Sequence, residues 1–147
     1  MNTSIATLLE HKGAAVRSVA STVSVSDAVK EMNRHKIGCV LIMDGARLAG
    51  VFTERDVLTR VVAADLDPKA TPITRVMTAN VLTVAPETTV QQMMDIFAEK
   101  RCRHLPVVKD GAILGLISIG DVSRWVANTH RAEAESLRNY ISGGLSA

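Results

Sequence analysis

The chain has very few aromatic side chains and no long apolar stretch. Aromatic residues make up 3% of the 147 positions, so a planar ligand would have to contact aliphatic side chains rather than stacked rings. No apolar run approaches the roughly 20 residues that span a bilayer. The first residues also lack the basic and apolar segments of a secretion signal. We therefore expect no membrane span, no secretion and a cytoplasmic location.

A large excess of one charge is also missing. The formal net charge is +2, with both signs interspersed, which argues against sequence-independent nucleic-acid binding. No nucleophile elbow, Walker lysine or Rossmann glycine set is present. Cysteines and histidines lack the short spacings of metal or redox sites. We predict a protein that is not an enzyme and holds neither a metal ion nor a catalytic cofactor, with two reduced thiols at Cys39 and Cys102.

What the sequence does contain is an internal repeat. Residues 50–57 (GVFTERDV) return as residues 115–122 (GLISIGDV), so that Asp56 recurs as Asp121 after a shift of 65 residues. Self-similarity at a fixed shift indicates a duplicated supersecondary unit. Each copy places a hydroxyl and an acid where a strand is followed by a helix.

Apolar periodicity predicts strand, helix, strand, strand, helix in each copy, an α/β (α+β) fold. Helices are expected near 26–35, 54–64 and 119–128, with an equivalent stripe at Val90, Met93, Met94 and Phe97. Paired strands are expected at 39–43 with 48–52, and at 105–108 with 113–117, joined by Asp44-Gly45 and Asp110-Gly111 turns.

Further segments complete the predicted organisation. A short leading helix covers 3–11, and an amphipathic helix runs from His130 to Ile141 until Gly143-Gly144 stops it. A single turn is expected within 73–77 of the connector. The resulting boundaries are 1–13 for the N-terminal helix, 14–66 for the first unit, 67–78 for the linker, 79–128 for the second unit and 129–147 for the C-terminal helix and tail.

The repeated hydroxyl–acid pair has two interpretations. Thr53 with Asp56, and Ser118 with Asp121, have the spacing of a capping box, which satisfies the unpaired amides of a helix N-terminus. The alternative is ligand binding: the helix N-terminus and hydroxyl favour a phosphate, and the Asp can accept both hydroxyls of a ribose. Because Glu and Gln suit the reciprocal cap better than Asp, we favour a nucleotide.

The two copies, together with residues 103–108 (RHLPVV), make the chain resemble a tandem pair of CBS domains, or Bateman module. The resemblance implies two β-α-β-β-α units related by a pseudo-two-fold axis, with clefts between them for adenosine-containing ligands. It assigns phosphate contacts to Thr53 and Ser118, and ribose contacts to Asp56 and Asp121. It places adenine near residues 18–20 and 83–85. Small stand-alone bacterial members are regarded as candidate signal-transduction proteins.

The copies differ in their basic residues, so we predict unequal affinities. Gly120 stands where the first copy has Arg55, while Arg103 and His104 have no basic counterpart in the first copy. The first cleft would use Arg55 on phosphates and the second Arg103 or His104, unless Arg55 is a solvated helix residue and His104 a packed edge residue. The full predicted nucleotide-binding set is Ser18, Ala20, Thr53, Arg55, Asp56, Thr83, Ala85, Arg103, His104, Pro106, Ser118, Ile119, Gly120 and Asp121.

These observations predict a non-catalytic sensor that binds an adenine nucleotide and acts on an unidentified regulated protein. AMP fits the single-phosphate features best, with ADP, ATP and NAD(H) as competitors. A homodimer is expected through the tail helix and exposed helix faces around Val57, Val61, Val122, Trp125 and Val126. The alternatives are a ligand-independent dimerisation or scaffold protein and, less favoured, a nucleic-acid-binding module.

Overall fold

The computed structural model describes residues 2–13 and 15–145, which form two compact units. The first unit comprises residues 15–83, and the second comprises residues 84–145 together with helix α1, Ile5–Lys12. The first unit contains β1 (Ser18–Ala20), α2 (Val25–His35), β2 (Cys39–Asp44), β3 (Arg47–Thr53), α3 (Glu54–Asp56, continuing as π-helix over Val57–Val62) and α4 (Ile73–Val76). The second contains α5 (Val90–Lys100), β4 (His104–Lys109), β5 (Ala112–Ser118) and α6 (Ile119–Leu145).

The mixed α and β class with leading and C-terminal helices is confirmed. Ala14 and the last two residues of the predicted tail lie outside the described residues.

Equivalent residues begin and end the first helix of each copy, α2 and α5. Ser24 Oγ accepts a hydrogen bond from the Asp27 amide at 3.2 Å, and Thr89 forms a full capping box at the start of α5. Lys36 and Arg101 then end α2 and α5 in the left-handed conformation, with φ of 53° and 52°. Short polar caps and a left-handed last residue are ordinary helix boundaries, which explains why both helices have the same length.

Each unit contains an antiparallel hairpin with a bulge at the same place. The register shifts between Ile42 and Met43 in the first hairpin, and between Val107 and Val108 in the second. The second hairpin turns at Asp110-Gly111 as predicted, whereas the first turns at Gly45 and the residue after it, one position later than predicted. Strand β1 adds a parallel edge to β2 in the first unit.

The second unit lacks the first strand that the sequence predicts. In its place Val84 forms a single parallel bridge to Val107. The carbonyl oxygens of Pro86 and Thr88, just beyond it, accept hydrogen bonds from the first amides of α1, Ala6 at 3.0 Å and Ile5 at 2.7 Å. Because proline cannot donate to a strand ladder and α1 uses these carbonyls, the strand does not extend.

The cores are mainly aliphatic, as the composition predicts, with one buried phenylalanine in each, Phe52 and Phe97. Helix α1 belongs to the core of the second unit, where Ile5, Leu8 and Leu9 are buried among residues of α5, β4 and β5. The core of the first unit is built from α2, β2, β3 and α4 around Phe52.

Two predictions about the C-terminal half of each copy are wrong. The helices expected at 119–128 and 130–141 are one 27-residue helix, α6, which continues through Gly143 and Gly144 because glycine weakens a helix without forbidding it. Val61 and Val122, expected on exposed faces, are buried in their own units. In the π-helical continuation of α3, the exposed large apolar residues are instead Leu58 and Val62, at 64% and 60% exposure.

Candidate functional site

Both copies of the hydroxyl–acid pair form a capping box at a strand-to-helix junction. In the first unit the Thr53 amide donates to Asp56 Oδ2 at 3.0 Å, and the Asp56 amide donates to Thr53 Oγ1 at 3.2 Å. In the second the Ser118 amide donates to Asp121 Oδ2 at 2.8 Å, and the Asp121 amide donates to Ser118 Oγ at 3.1 Å. Asp therefore closes the reciprocal cap here, contrary to the expectation that its short side chain disfavours one.

Most of the helix N-terminus is already hydrogen-bonded within each unit. The Glu54 amide donates to the Gly38 carbonyl at 3.0 Å, and the Ile119 amide donates to the Arg103 carbonyl at 2.9 Å. The first and third amides of α3 and of α6 thus have hydrogen-bond partners within the protein. The prediction that these amides form an open cluster for a phosphate is therefore wrong. The network does not include the second amide, that of Arg55 or Gly120.

The Asp56 carboxylate keeps one oxygen outside its cap. Asp56 is 8% exposed, and Oδ2 is used by the Thr53 amide. The Oδ1 atom lies 3.5 Å from Nε of Arg60, a distance that allows an ion pair but exceeds that of a good charge-assisted hydrogen bond. Since each carboxylate oxygen can accept two hydrogen bonds, Asp56 has unused acceptor capacity.

The Asp121 carboxylate has more and closer partners. Lys12 Nζ, from α1, lies 2.6 Å from Oδ2, and Arg124 Nη2 lies 2.6 Å from Oδ1. Burial alone would raise the pKa of Asp121, but the hydrogen bonds from Lys12 and Ser118 and the charge of Lys12 outweigh it and lower this pKa. Asp121 is therefore held as a carboxylate by Lys12 and by the hydrogen bonds from Ser118.

Arg55 lies within the first motif in sequence, whereas Arg103 and His104 lie beside the second motif through backbone contacts with Ile119 and Ser118. His104 pairs with Ser118 across the β4–β5 ladder, which brings the imidazole-bearing residue beside the hydroxyl. Arg103 and Arg55 are exposed, and Ile119 is 44% exposed. Pro106 is buried, and its carbonyl accepts a hydrogen bond from the Val84 amide at 3.0 Å.

The segments predicted to contact adenine lie across the central strand from the motif in each unit. Ser18 and Ala20 are exposed residues of β1, which pairs with β2, and β2 in turn pairs with β3 and its Thr53. Thr83 and Ala85 are exposed on either side of Val84, which adjoins β4. The adenine segment and the hydroxyl–acid pair are therefore separated by β2 in the first unit and by β4 in the second.

A family model described as CBS domain matches residues 14–63 and 73–128. The chain belongs to the CBS-domain family.

Relatives and solved structures agree with this assignment. The chain is 40% identical over 126 residues to the mitochondrial CBS domain-containing protein CBSX3 of Arabidopsis thaliana, and the match covers 82% of this chain but 61% of that protein. It is similar to a candidate signal-transduction protein with CBS domains from Burkholderia ambifaria, with 38% identity and a TM-score of 0.81 over 84% of this chain and 93% of the other. A CBS-domain containing protein from Agrobacterium tumefaciens shares 36% identity with a TM-score of 0.79, covering 83% of this chain and 98% of the other.

The glycine that opens the motif in each CBS unit is a point of close approach, which the sequence reasoning did not identify. A Cβ on Gly50 would lie 2.6 Å from Sδ of Met77 and 2.8 Å from the Thr78 carbonyl oxygen. A Cβ on Gly115 would lie 2.6 Å from Cδ2 of Leu9. Equivalent glycines of the two CBS units therefore pack against different segments. Gly50 contacts the end of the linker, and Gly115 contacts α1.

Three cations on the motif carboxylates were also missed. Arg60 and Arg124 follow their Asp by four and three residues, a spacing that brings helical side chains together and offered a usable signal. Lys12 is 109 residues from Asp121, and nothing in the sequence points to that contact. Among residues 2–13 and 15–145, no group of three or more His, Cys, Asp or Glu side chains could hold a metal ion. Over the same residues, no helix has both the length and the apolarity to cross a bilayer.

Proposed function

We propose that this CBS-domain chain is a non-catalytic regulatory module that binds an adenine nucleotide at the Thr53–Asp56 motif of its first unit. Membership of the CBS family and the presence of the motif in both copies support this function. The observation that carries it is the acceptor capacity of Asp56, whose Oδ1 atom has only a 3.5 Å contact with Arg60. That oxygen can accept a ribose hydroxyl without breaking the helix cap.

The charges around the motif favour a ligand with a single phosphate. Thr53 supplies one hydroxyl, and Arg55 is an exposed cation two residues further on. One guanidinium matches one phosphate group, so AMP is proposed ahead of ADP, ATP and NAD(H). Binding would act by shifting the population of conformations that a regulated protein recognises.

Isothermal titration calorimetry with AMP tests this proposal, with ADP, ATP, NAD and NADH as competitors. Asp56→Asn removes the charge but keeps an oxygen for the Thr53 amide, so the cap survives. Loss of charge-assisted contacts to the diol should weaken AMP on the order of 100-fold. Asp27→Asn is the matched control, because Asp27 is an exposed acid in the first turn of α2. Unchanged AMP affinity in Asp56→Asn, or a wild-type chain that ignores every nucleotide, would contradict the proposal.

A specific observation also favours self-association. Residues 131–143 of α6 are exposed on every side, and Leu137, Tyr140 and Ile141 are 61%, 80% and 53% exposed. Next to them a groove of about 810 Å³ is lined by α1 and α6, including His11 and Trp125, whose ring centroids are 5.0 Å apart. An unpacked helical segment of about 13 residues is marginal in water. We infer that a second copy of the chain covers this surface, giving a homodimer that would also serve a ligand-independent scaffold.

A further inference from the structure

The ammonium group of Lys12 lies directly on the second copy of the binding motif. Its Nζ donates to Asp121 Oδ2 at 2.6 Å and to the carbonyl oxygen of Leu116, two residues before the motif hydroxyl. Lys12 is the last residue of α1. This helix therefore supplies a cation to the β5–α6 junction, 109 residues later in the sequence.

The acceptor capacity of Asp121 is largely used by these contacts. Its Oδ2 atom accepts from both the Ser118 amide at 2.8 Å and Lys12 at 2.6 Å, which fills the two positions of a carboxylate oxygen. Its Oδ1 atom accepts from Arg124 at 2.6 Å, leaving one position. A ribose diol that uses both carboxylate oxygens therefore cannot bind unless Lys12 moves.

Lys12 is not a loosely held surface lysine, because α1 is anchored. Ile5 and Leu8 are buried in the core of the second unit, and the Ile5 amide donates to the Thr88 carbonyl at 2.7 Å. Leu9 packs against Gly115, three residues before Ser118. The Lys12 side chain itself is 32% exposed. Displacing its ammonium requires the end of a packed helix to shift or the side chain to leave two acceptors.

The first unit has no equivalent contact. There the cation nearest Asp56 is Arg60, at 3.5 Å and on the same helix. The two copies of the motif share the capping box but differ in the cation that meets the carboxylate.

We propose that Lys12 is a specificity-determining residue that closes the second motif to a nucleotide, so that each chain binds one nucleotide, at the first motif. This inference rests on the proposed function for the identity of the ligand. In this proposal α1 controls binding at the second motif, because Lys12 at its end must leave the Asp121 carboxylate before a ribose can bind there. The lowered pKa of Asp121 is consistent with it, since the Lys12 cation stabilises the charged carboxylate.

Calorimetric stoichiometry with AMP tests the proposal. The wild-type chain should bind one AMP, and Lys12→Met should bind two, the second with an affinity raised by about 10- to 100-fold, the factor expected for one charge-assisted hydrogen bond. Asp56→Asn should weaken the single site about 100-fold while Lys12 is present, and Asp56→Asn combined with Lys12→Met should bind one AMP tightly again, at the second motif. Lys30→Met, which removes an equal charge from an exposed position on α2, should keep one site.

Folding of each variant is checked by circular dichroism, with Lys12→Gln as a second neutral substitution; the wild-type stoichiometry requires no variant. Two equivalent sites in the wild type, or one site in both the wild type and Lys12→Met, would overturn the role of Lys12 while leaving the proposed function intact. No binding in the wild type but one AMP in Lys12→Met would support Lys12 and refute the first motif as the site. No binding in either protein would refute both.

Discussion

Replacing Gly50 and Gly115 with alanine compares how tightly each CBS unit packs a neighbouring segment against its motif. A methyl group on Gly50 meets the Thr78 carbonyl oxygen at 2.8 Å as well as Met77 Sδ at 2.6 Å. A methyl group on Gly115 meets Cδ2 of Leu9 at 2.6 Å, while the next atom is 3.4 Å away. The obstacle is partly backbone in the first case and the end of one flexible side chain in the second.

The difference in stability follows from what can move. Thr78 exchanges two backbone hydrogen bonds with Val51, at 3.0 and 2.9 Å, and shifting that carbonyl weakens both. Overpacking costs about 1–3 kcal/mol, so Gly50→Ala should lower the free energy of unfolding by about 3 kcal/mol. For Gly115→Ala, an off-rotamer Leu9 costs about 1 kcal/mol. The difference of about 2 kcal/mol corresponds to about 4–8 °C in the melting temperature for a chain of this size.

Urea unfolding monitored by circular dichroism measures both variants against the wild type. Leu9→Ala supplies the internal check: it should be destabilising by itself, but adding Gly115→Ala to it should cost almost nothing, because the obstructing methyl is gone. If Gly115→Ala is as damaging as Gly50→Ala, or costs the same with and without Leu9, the steric reasoning is wrong.

The remaining predictions concern self-association and acid stability. Leu137→Glu should convert a dimer into a monomer in multi-angle light scattering with little loss of stability, whereas Asn139→Glu should not; a monomeric wild type, or an assembly that Leu137→Glu leaves intact, argues against the α6 surface. The pKa of Asp121 is lowered in the folded chain, so its stabilising contribution is present above the unfolded pKa of about 3.9 and is lost as pH falls through the folded pKa. Lys12→Met should flatten the dependence of unfolding free energy on pH in this range, Lys30→Met should not, and identical profiles would show that Lys12 does not stabilise the carboxylate.

Most of the fold could be predicted from the internal repeat. Apolar periodicity and the Asp-Gly turns located the hairpins to within a residue, because burial alternates along β3 and β5 and only one register satisfies that period. The missing strand around Val84 was not predictable, since it depends on α1 using the carbonyls of Pro86 and Thr88. The continuous α6 was mispredicted because the end of the repeated unit at residue 128 was taken as the end of a helix. Its extension past residue 141 was missed because Gly143 and Gly144 were taken as a stop.

The motif was located correctly in the chain, but its electrostatic environment was not. Thr53 with Asp56, and Ser118 with Asp121, lie at strand-to-helix junctions as the spacing predicts. The position of Lys12 on Asp121 depends on how α1 packs, a contact over 109 residues that local spacing does not encode. The difference between the two acids therefore emerged only from the structure, while the unequal affinity predicted from the basic residues remains a prediction.

Helix α6 begins at the second motif and continues without a break over 27 residues, with residues 131–143 exposed. At 1.5 Å per residue its length is about 40 Å, so a tilt of a few degrees at Ser118–Asp121 displaces the far end by about 3 Å. If the first turn of α6 tilts when the Asp121 carboxylate changes partners, the displacement is therefore largest at the exposed C-terminal part of the helix.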